Sequence, residues 1–200
     1  KSTLADRFIQ ICGGLQDNLN WLGPSRTRTK EGILNSDWTN LGGGDGFYCV
    51  FDAHEPDVLY VESQQGHVHR IHVTTGQITN LRPEPGEGEP AFRFHWSSPL
   101  LGSRHHPGAL YLAGNRVFKL TRKGEHWQAI SPDLSAADPQ KTTASGSGAE
   151  NYGVVYTLAE SPLAAGVLWA GTDDGKLWIT RDEGGSWTDL TVHLPAAAKG

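Results

Sequence analysis

The 200-residue chain has no methionine, only two cysteines and no long apolar run. A membrane-spanning helix needs roughly 20 consecutive apolar residues, and no segment comes near that length. The charged and apolar regions of a signal peptide are also missing at the start. Because there is no initiating methionine, we expect the chain to be a processed or excised piece of a longer protein.

Charge and motif content exclude further classes of function. The chain has 17 basic and 22 acidic residues, which gives a net charge of −5 at pH 7. This balance argues against a nucleic-acid-binding surface. A glycine-rich phosphate loop, a nucleophile elbow and a Cys-His dyad are all absent from the sequence. We therefore expect no cofactor and no nucleic-acid partner.

Glycine and tryptophan, by contrast, are plentiful. The 25 glycines and seven tryptophans are typical of many short strands joined by tight turns. No apolar pattern with a period of 3.6 residues lasts beyond two helical turns. The sequence therefore predicts an all-β fold.

The strands are organised in an internal repeat. Segment 58–81 aligns with segment 167–190 without a gap, segment 109–130 is two residues shorter at its first turn, and segment 8–41 is a degenerate copy. The closing positions Trp38, Ile78, Trp127 and Trp187 are spaced by 40, 49 and 60 residues. This spacing is typical of β-propeller blades that carry insertions.

Each later copy is preceded by one more apolar run, at 46–52, 95–103 and 153–161. The unit is therefore four antiparallel strands, and the chain is predicted to be a partial β-propeller. The predicted blades are 1–41, 42–81, 92–130 and 152–190, and the first lacks its first strand. The connecting loops 82–91 and 131–151 are predicted to be solvated and mobile, respectively. About four blades are present, so we expect a fragment of a larger propeller.

One turn of the last blade has a recognisable motif, Ser/Thr-x-Asp-x-Gly-x-Ser/Thr-Trp. Its positions are Thr180, Asp182, Gly184, Ser186 and Trp187. The motif resembles the Asp-box, or bacterial neuraminidase repeat, found on the outer hairpin of β-propeller blades. Segments 13–18, 23–28, 42–47, 130–135 and 171–190 resemble the sortilin-like propellers of large exported bacterial proteins.

The resemblance implies an exported protein, extracellular or periplasmic, in which the box is a structural staple of the turn. Related propellers include xyloglucan-degrading hydrolases, sortilin-type receptors and photosystem II assembly factors. One fold hosts many activities, so the resemblance does not define one. No catalytic pair of the hydrolases aligns with this chain residue by residue.

Candidate functional residues lie on one rim of the predicted propeller. In a four-stranded blade, the loops from strand 4 to strand 1 and from strand 2 to strand 3 emerge on the same face, opposite the box. Polar residues predicted on that face are Asp17, Asn18, Asn20, Asp45, Arg93, Trp96, Asn115, Glu150, Asn151, Tyr152 and Asp173. From these we predict a ligand-binding rim of Asn18, Arg93, Trp96, Asn151 and Tyr152.

Three carboxylates on the rim are weak catalytic candidates: Asp17, Asp45 and Glu150. A glycosidase requires two carboxyl groups separated by roughly 5–9.5 Å. The simpler interpretation of Asp17 and Asp45 is that they cap backbone N–H groups in their turns.

The histidines and cysteines are interpreted as structural. His67 and His69 alternate along one strand, but no third ligand has a recognisable spacing, so we predict exposed strand histidines and no metal. Cys12 and Cys49 lie in apolar runs. Two buried free thiols are favoured over a disulfide between neighbouring strands.

The sequence therefore favours a non-catalytic, exported interaction propeller that binds protein or glycan through its rim loops. One alternative is a glycoside hydrolase of the xyloglucanase-like propeller type. Another is an extrinsic subunit or assembly factor of a membrane complex such as a photosystem.

Overall fold

A computed structural model of the chain describes residues 9–121, 124, 126–142 and 151–195. These residues form strands and three short 3-10 turns, and they contain no α-helix. Accordingly, this part of the chain has no helix of the length and apolarity needed to cross a membrane. The strands are β1 (Gln10–Gly14), β2 (Asn20–Pro24), β3 (Thr39–Gly42), β4 (Gly46–Phe51), β5 (Val58–Ser63), β6 (His67–His72), β7 (Gln77–Asn80), β8 (Leu100–Gly102), β9 (Leu110–Ala113), β10 (Val117–Leu120), β11 (Gln128–Ala129), β12 (Val155–Glu160), β13 (Leu168–Thr172), β14 (Leu177–Thr180) and β15 (Thr188–Asp189).

The strands form four antiparallel sheets in which each strand pairs with its sequence neighbours. The orders are β1-β2-β3, β4-β5-β6-β7, β8-β9-β10-β11 and β12-β13-β14-β15. We call these sheets blades 1 to 4. The predicted all-β, propeller-type fold is confirmed, and within the described residues blade 1 has three strands where the others have four.

Tight turns determine the register of each central hairpin. In blade 2, β5 pairs with β6 from Val58 opposite His72 to Ser63 opposite His67. The turn between them contains Gln65 with φ 60° and Gly66 with φ 72°. A side chain at Gly66 would collide with the ring of Phe94 from blade 3, so glycine is required there for packing as well as for conformation.

The first strands of the blades face one another on the inner side of the arc. β4 contacts β8, β8 contacts β12, and β1 contacts β4. Among the described residues, blade 1 has no further strand between β1 and the inner side of the arc. The inner surface is therefore lined by β4, β8 and β12.

The hydrophobic core consists of three seams between successive blades. Alternate residues of a strand point into different seams, as the two-residue period of a strand requires. Leu59 and Val61 pack toward blade 1, whereas Tyr60 packs toward blade 3. The seam between blades 3 and 4 contains Tyr111 and Leu168.

A tryptophan near the start of strand 4 ties each of two blades to the blade before it. The indole Nε1 of Trp127 donates to the carbonyl of Leu81. The indole Nε1 of Trp187 donates to the carbonyl of Ile130 at 2.8 Å. Leu81 and Ile130 each end their blade, so the same bond recurs in two seams.

Two expectations about local structure are wrong. Cys12 and Cys49 are not free thiols, because they form a disulfide that links β1 of blade 1 to β4 of blade 2. The loop after β11 is not a mobile surface segment in its first half, because Leu134 is fully buried and Ser131 is nearly so. Short turn motifs and a buried leucine hold this part of the loop in the seam between blades 3 and 4.

Candidate functional site

The rim loops of blades 1 and 2 meet at Asp45. Its Oδ1 accepts a hydrogen bond from the backbone N–H of Asp17 at 2.8 Å. Its Oδ2 accepts one from the indole Nε1 of Trp96 at 2.9 Å. Both carboxylate oxygens of Asp45 are therefore occupied by neighbouring loops, and the side chain joins three blades at the rim.

The structure brings the candidates Asp17 and Asp45 together, as a glycosidase pair would require. The contact is made by the backbone N–H of Asp17, however, and not by its carboxyl group. Asp17 is exposed and has φ 60°, a value that aspartate tolerates in turns. Neighbouring Asn18 is exposed, and its carbonyl accepts the indole N–H of Trp21 at 2.6 Å. Both residues form a local turn. The third candidate, Glu150, lies outside the described residues.

Arg93 is the centre of a second cluster, between blades 3 and 4. Its Nη2 donates to Asp133 Oδ2 at 2.8 Å, to Ser135 Oγ at 3.0 Å and to the carbonyl of Gly153 at 3.1 Å. Asn115 also donates to Asp133, at 2.9 Å. Burial opposes ionisation of Asp133, but these bonds outweigh it and lower the pKa of that carboxyl group. Arg93 is therefore engaged internally and holds the loop in place.

The remaining rim candidates lie at the start of blade 4 and in the turn between β13 and β14. Asn151 donates to the carbonyl of Phe94 at 2.9 Å. The ring of Tyr152 has the ammonium group of Lys141 5.5 Å from its centroid. Asp173 accepts bonds from the backbone N–H groups of Gly153 and Val154, both at 3.0 Å, although burial raises the pKa of its carboxyl group.

Sequence reasoning missed a further group of side chains on the inner surface, which we call the axial cluster: Tyr48, His95, Ser97 and Tyr156. The rings of His95 and Tyr156 meet edge to face with centroids 4.9 Å apart. The backbone N–H of Ser97 donates to Nδ1 of His95 at 3.1 Å, and the side chain of Ser97 lies beside the hydroxyl of Tyr48. Burial raises the pKa of Tyr48, with further contributions from Glu62 and Tyr156, so the phenol stays neutral and can donate.

Bulges in the first strands explain why two tyrosines reach this surface. The register of β4 shifts between Gly46 and Cys49, and that of β12 shifts between Val155 and Thr157. Tyr48 and Tyr156 lie within those bulges and are 37% and 57% exposed. A bulge redirects a side chain that regular alternation would aim elsewhere. In the sequence, the only clue to the axial cluster was the presence of the two tyrosines.

Glu62 lies beneath the axial cluster and is completely buried. Its Oε1 accepts the backbone N–H of Ser98 at 3.1 Å, and its Oε2 has no partner among the described residues. Burial raises the pKa of this carboxyl group to about 9. Glu62 is therefore a neutral acid at physiological pH and does not contact solvent.

The histidines differ from expectation. His67 and His69 are half-buried and not exposed, and burial lowers the pKa of each imidazole. The Nδ1 atoms of His69 and His72 are buried without a hydrogen-bond partner in the described part of the chain. The described residues contain no group of three or more potential metal ligands.

The box-like turn of blade 4 lies away from the axial cluster. Asp182 accepts bonds from Thr180 Oγ1 at 2.7 Å, Ser186 N at 2.8 Å and Ser186 Oγ at 2.7 Å. Gly184, with φ 96°, packs against the carbonyl of Ile130. Hydrogen bonds from Ser186 and then Thr180 lower the pKa of Asp182 to about 2. Both oxygens of the Asp182 carboxylate are therefore occupied by hydrogen bonds within the turn.

Comparisons with known proteins identify the fold and no family. No protein-family description and no curated protein matches the chain. The extracellular domain of a putative one-component system from B. thetaiotaomicron is similar with a TM-score of 0.57 and 11% identity, over 94% of this chain and 21% of that one. The GH74 xyloglucanase from Xanthomonas campestris is similar with a TM-score of 0.53 and 17% identity, over 90% of this chain and 28% of that one.

A third similar structure comes from a nidogen/laminin complex, with a TM-score of 0.52 and 12% identity over 91% of this chain and 61% of that one. The chain thus spans less than two thirds of each of these structures. Identities below one fifth show a shared propeller-type architecture and do not transfer an activity.

Proposed function

We propose that the protein is an exported, non-catalytic β-propeller module that binds a protein or a glycan on its rim and inner surface. The observation that carries this proposal is the contrast between the rim carboxylates and the axial cluster. Asp45, Asp133 and Asp173 are each held by internal hydrogen bonds. Tyr48 and Tyr156 remain exposed.

The axial cluster suits recognition of a polar ligand with apolar faces. Tyrosine presents a large flat surface and one hydroxyl group at a small cost in conformational entropy. His95 packs against Tyr156 and the side chain of Ser97 lies beside the hydroxyl of Tyr48, so both tyrosine rings have protein neighbours before any ligand arrives. Sugars and peptide segments both offer such faces, and we assign Tyr48 and Tyr156 as the main contact residues.

The main role of the rim candidates is to hold the loops around the axial cluster in place. Arg93, Trp96 and Asn151 are tied to neighbouring loops and fix the wall around the axial cluster. Asn18, which is exposed, and Tyr152 are proposed to supply additional contacts. The Asp-box interpretation of Thr180 to Trp187 remains part of this proposal as a structural staple.

Export is supported by the disulfide between Cys12 and Cys49. Disulfides persist in oxidising compartments and are rare in the cytosol. We therefore assign the protein to the extracellular space or the periplasm.

The hydrolase alternative requires one carboxyl group that donates a proton and a second that attacks or activates water. Among the described residues, Asp45 has both oxygens occupied, and the acid with the most strongly raised pKa, Glu62, is sealed from solvent. Neither is available for chemistry on a substrate in this arrangement, which favours binding.

A paired screen tests the proposal. The purified chain is applied to a glycan array and to a phage-displayed peptide library, and is separately incubated with xyloglucan while new reducing ends are measured. We expect a binder that the variant Tyr48→Ala/Tyr156→Ala no longer retains, and no new reducing ends. Release of reducing ends that Asp45→Asn abolishes would overturn the proposal in favour of the hydrolase.

A further inference from the structure

The buried acid Glu62 lies where two segments that carry the axial cluster meet. Its Oε1 accepts the backbone N–H of Ser98 at 3.1 Å, and backbone groups of Tyr48 and Gly66 lie beside the same carboxyl group. Tyr48 belongs to β4, Gly66 to the turn between β5 and β6, and Ser98 to the segment 93–98 before β8. One carboxyl group is therefore shared by three segments of backbone.

The bulge of β4 lies directly opposite Glu62. Regular pairing of β4 with β5 stops at Gly46 and resumes at Cys49, whereas on β5 only Glu62 lies between the two partners. Two residues of β4, one of which is Tyr48, therefore face a single residue of β5, as in a β-bulge. Glu62 is thus the cross-strand neighbour of the bulge that presents the Tyr48 ring.

A short series of hydrogen bonds continues from Glu62 to His95. Ser98 donates its backbone N–H to Glu62 and its hydroxyl group to the carbonyl of His95, the latter at 3.0 Å. Because Nδ1 of His95 accepts the backbone N–H of Ser97, the neutral imidazole carries its proton on Nε2. The orientation of the His95 ring, and of Tyr156 packed against it, therefore depends on the segment that Glu62 holds.

The other blades show that the fold does not require an acid at this place. In the aligned repeats, the position of Glu62 belongs to Ala113 in blade 3 and to Gly171 in blade 4. β12 of blade 4 still forms its bulge at Tyr156, opposite Gly171. Burial of a carboxyl group costs stability, and a small residue avoids that cost. The bulge alone therefore does not account for Glu62.

The contacts of Glu62 depend on the protonation of its carboxyl group. Burial raises the pKa of Glu62 to about 9, although the backbone N–H of Ser98 and the other nearby backbone groups oppose this shift. Oε2 has no partner within the described residues, so a carboxylate here would be a buried charge without a counter-ion. Water reaches such a charge only when the segments around it separate. Ionisation therefore loosens the contact between β4 and segment 93–98.

Other titratable side chains lie on the elements around Glu62. They are Tyr48 on β4, His95 before β8 and Tyr156 on β12, and Asp173 acts electrostatically on His95. Burial raises the pKa of Tyr48 above its ordinary value of 10.0, and Glu62 and Tyr156 add to this effect. The Tyr48 phenol therefore ionises at a higher pH than Glu62, so the two events can be separated.

We propose that Glu62 is the positioning residue of the axial cluster: its neutral carboxyl group ties the bulge that presents Tyr48 to the segment that presents His95, and its ionisation releases both. The recognition surface is thus assembled at neutral pH and loosened at alkaline pH. Glu62 itself touches no ligand, because it is completely buried. The inference rests on the proposed function, since it concerns the regulation of the same surface.

NMR of the chain labelled with 13C at the tyrosine Cε atoms tests the tie without a ligand. The Tyr48 resonance is assigned by its absence from Tyr48→Phe and followed from about pH 7 to about pH 11. In the wild type we expect one shift as Glu62 ionises and a later one as the phenol ionises. Glu62→Gln should show only the later shift. A response that stems from His95 or Tyr156 would persist in this variant.

Glu160→Gln is the matched control for the NMR titration. Glu160 is also a buried acid, and it accepts a hydrogen bond from the backbone N–H of Arg104, but it lies at the far end of β12 from Tyr156. This variant should keep both shifts of the Tyr48 resonance.

Binding separates a positioning role from a purely structural one. The probe is the glycan or peptide that the array or the library retains, measured by calorimetry at about pH 7 and about pH 10. Wild-type affinity should fall about tenfold between these values, whereas that of Glu62→Gln should change little. Glu62→Met keeps an apolar chain of similar length but removes the acceptor for Ser98. It should stay folded by circular dichroism and bind about tenfold more weakly at neutral pH.

The outcomes distinguish this inference from the proposed function. A single shift of the Tyr48 resonance in the wild type, or two shifts that persist in Glu62→Gln, would overturn the inference. So would a folded Glu62→Met chain that binds as tightly as the wild type. If the screen retains nothing while the shifts appear and vanish as expected, the proposed function fails and the tie through Glu62 is supported.

Discussion

Glu62 shows how one side chain couples the stability of the fold to pH. It is fully buried, and its Oε1 accepts a hydrogen bond from the backbone N–H of Ser98 at 3.1 Å. Burial raises the pKa of its carboxyl group from the ordinary value of 4.5 to about 9, so the native state retains a proton that the unfolded chain releases. The stability that the buried acid contributes is present below the unfolded pKa and is lost as pH rises through the folded pKa.

Glu62→Gln removes this titration and keeps the neutral shape. We expect stability to fall between pH 5 and pH 9 in the wild type and to fall much less in the variant. At pH 8 the variant should be more stable by about 1–3 kcal/mol, because no buried acid has to be kept neutral. Urea unfolding at several pH values measures this.

The exposed Glu87→Gln serves as the control and should leave the pH profile unchanged. Parallel pH profiles for the wild type and Glu62→Gln would contradict the assignment of Glu62 as a buried neutral acid.

At the scale of strands and seams, the stability of the molecule comes from contacts that repeat from blade to blade. Trp187 packs at the edge of the seam between blades 3 and 4 and donates to Ile130. The Cys12–Cys49 disulfide supplements the seam between blades 1 and 2. The resemblance to Asp-box propellers implies that Trp187 belongs to the turn. In the structure, however, its indole N–H donates to Ile130, which lies in the neighbouring blade.

Two substitutions separate the contributions of Trp187. Trp187→Phe keeps an aromatic ring and removes the bond to Ile130, so we expect a loss of about 1 kcal/mol. Trp187→Ala also removes the ring and should cost about 3–5 kcal/mol. Trp169→Ala is the control and should cost much less, because Trp169 is 38% exposed. Equal unfolding free energies for Trp187→Ala and the wild type would exclude a seam role.

Reduction of the disulfide tests the seam between blades 1 and 2. The two cysteines are 37 residues apart in sequence, so the crosslink restricts a long loop in the unfolded chain. We expect dithiothreitol to lower the unfolding free energy by about 2–4 kcal/mol. The variant Cys12→Ser/Cys49→Ser should show the same loss and no further response to dithiothreitol. An unchanged melting temperature on reduction would contradict the crosslink.

The sequence was sufficient to predict the blades because each one repeats the same strand and turn pattern. Segments 58–81 and 167–190 align without a gap, and the structure gives both the same hairpin register. The bulges at Tyr48 and Tyr156 were not predictable, because a bulge depends on a neighbouring strand and not on local residue type. The disulfide and the burial of Leu134 likewise depend on contacts between blades.

At the scale of the whole molecule, the two faces have different roles. Loops that carry Asp45 and Arg93 link neighbouring blades on one rim, and Asp173 holds the start of its own blade 4. The axial cluster lies beside them on the inner surface, where exposed tyrosines from two blades converge. The box-like turn around Asp182 stabilises the periphery of blade 4. The proposed recognition surface is therefore the rim and inner surface, and the outer hairpins are proposed to give structural support.

Hydrogen-exchange mass spectrometry, with and without the tightest binder from the array or the library, tests this placement most directly. We predict slower exchange in peptides that cover 46–51, 93–99 and 155–160, and unchanged exchange in 177–189. The variant Tyr48→Ala/Tyr156→Ala should lose the protection while retaining its melting temperature. Protection confined to 177–189, or protection that persists in the folded double variant, would contradict the account.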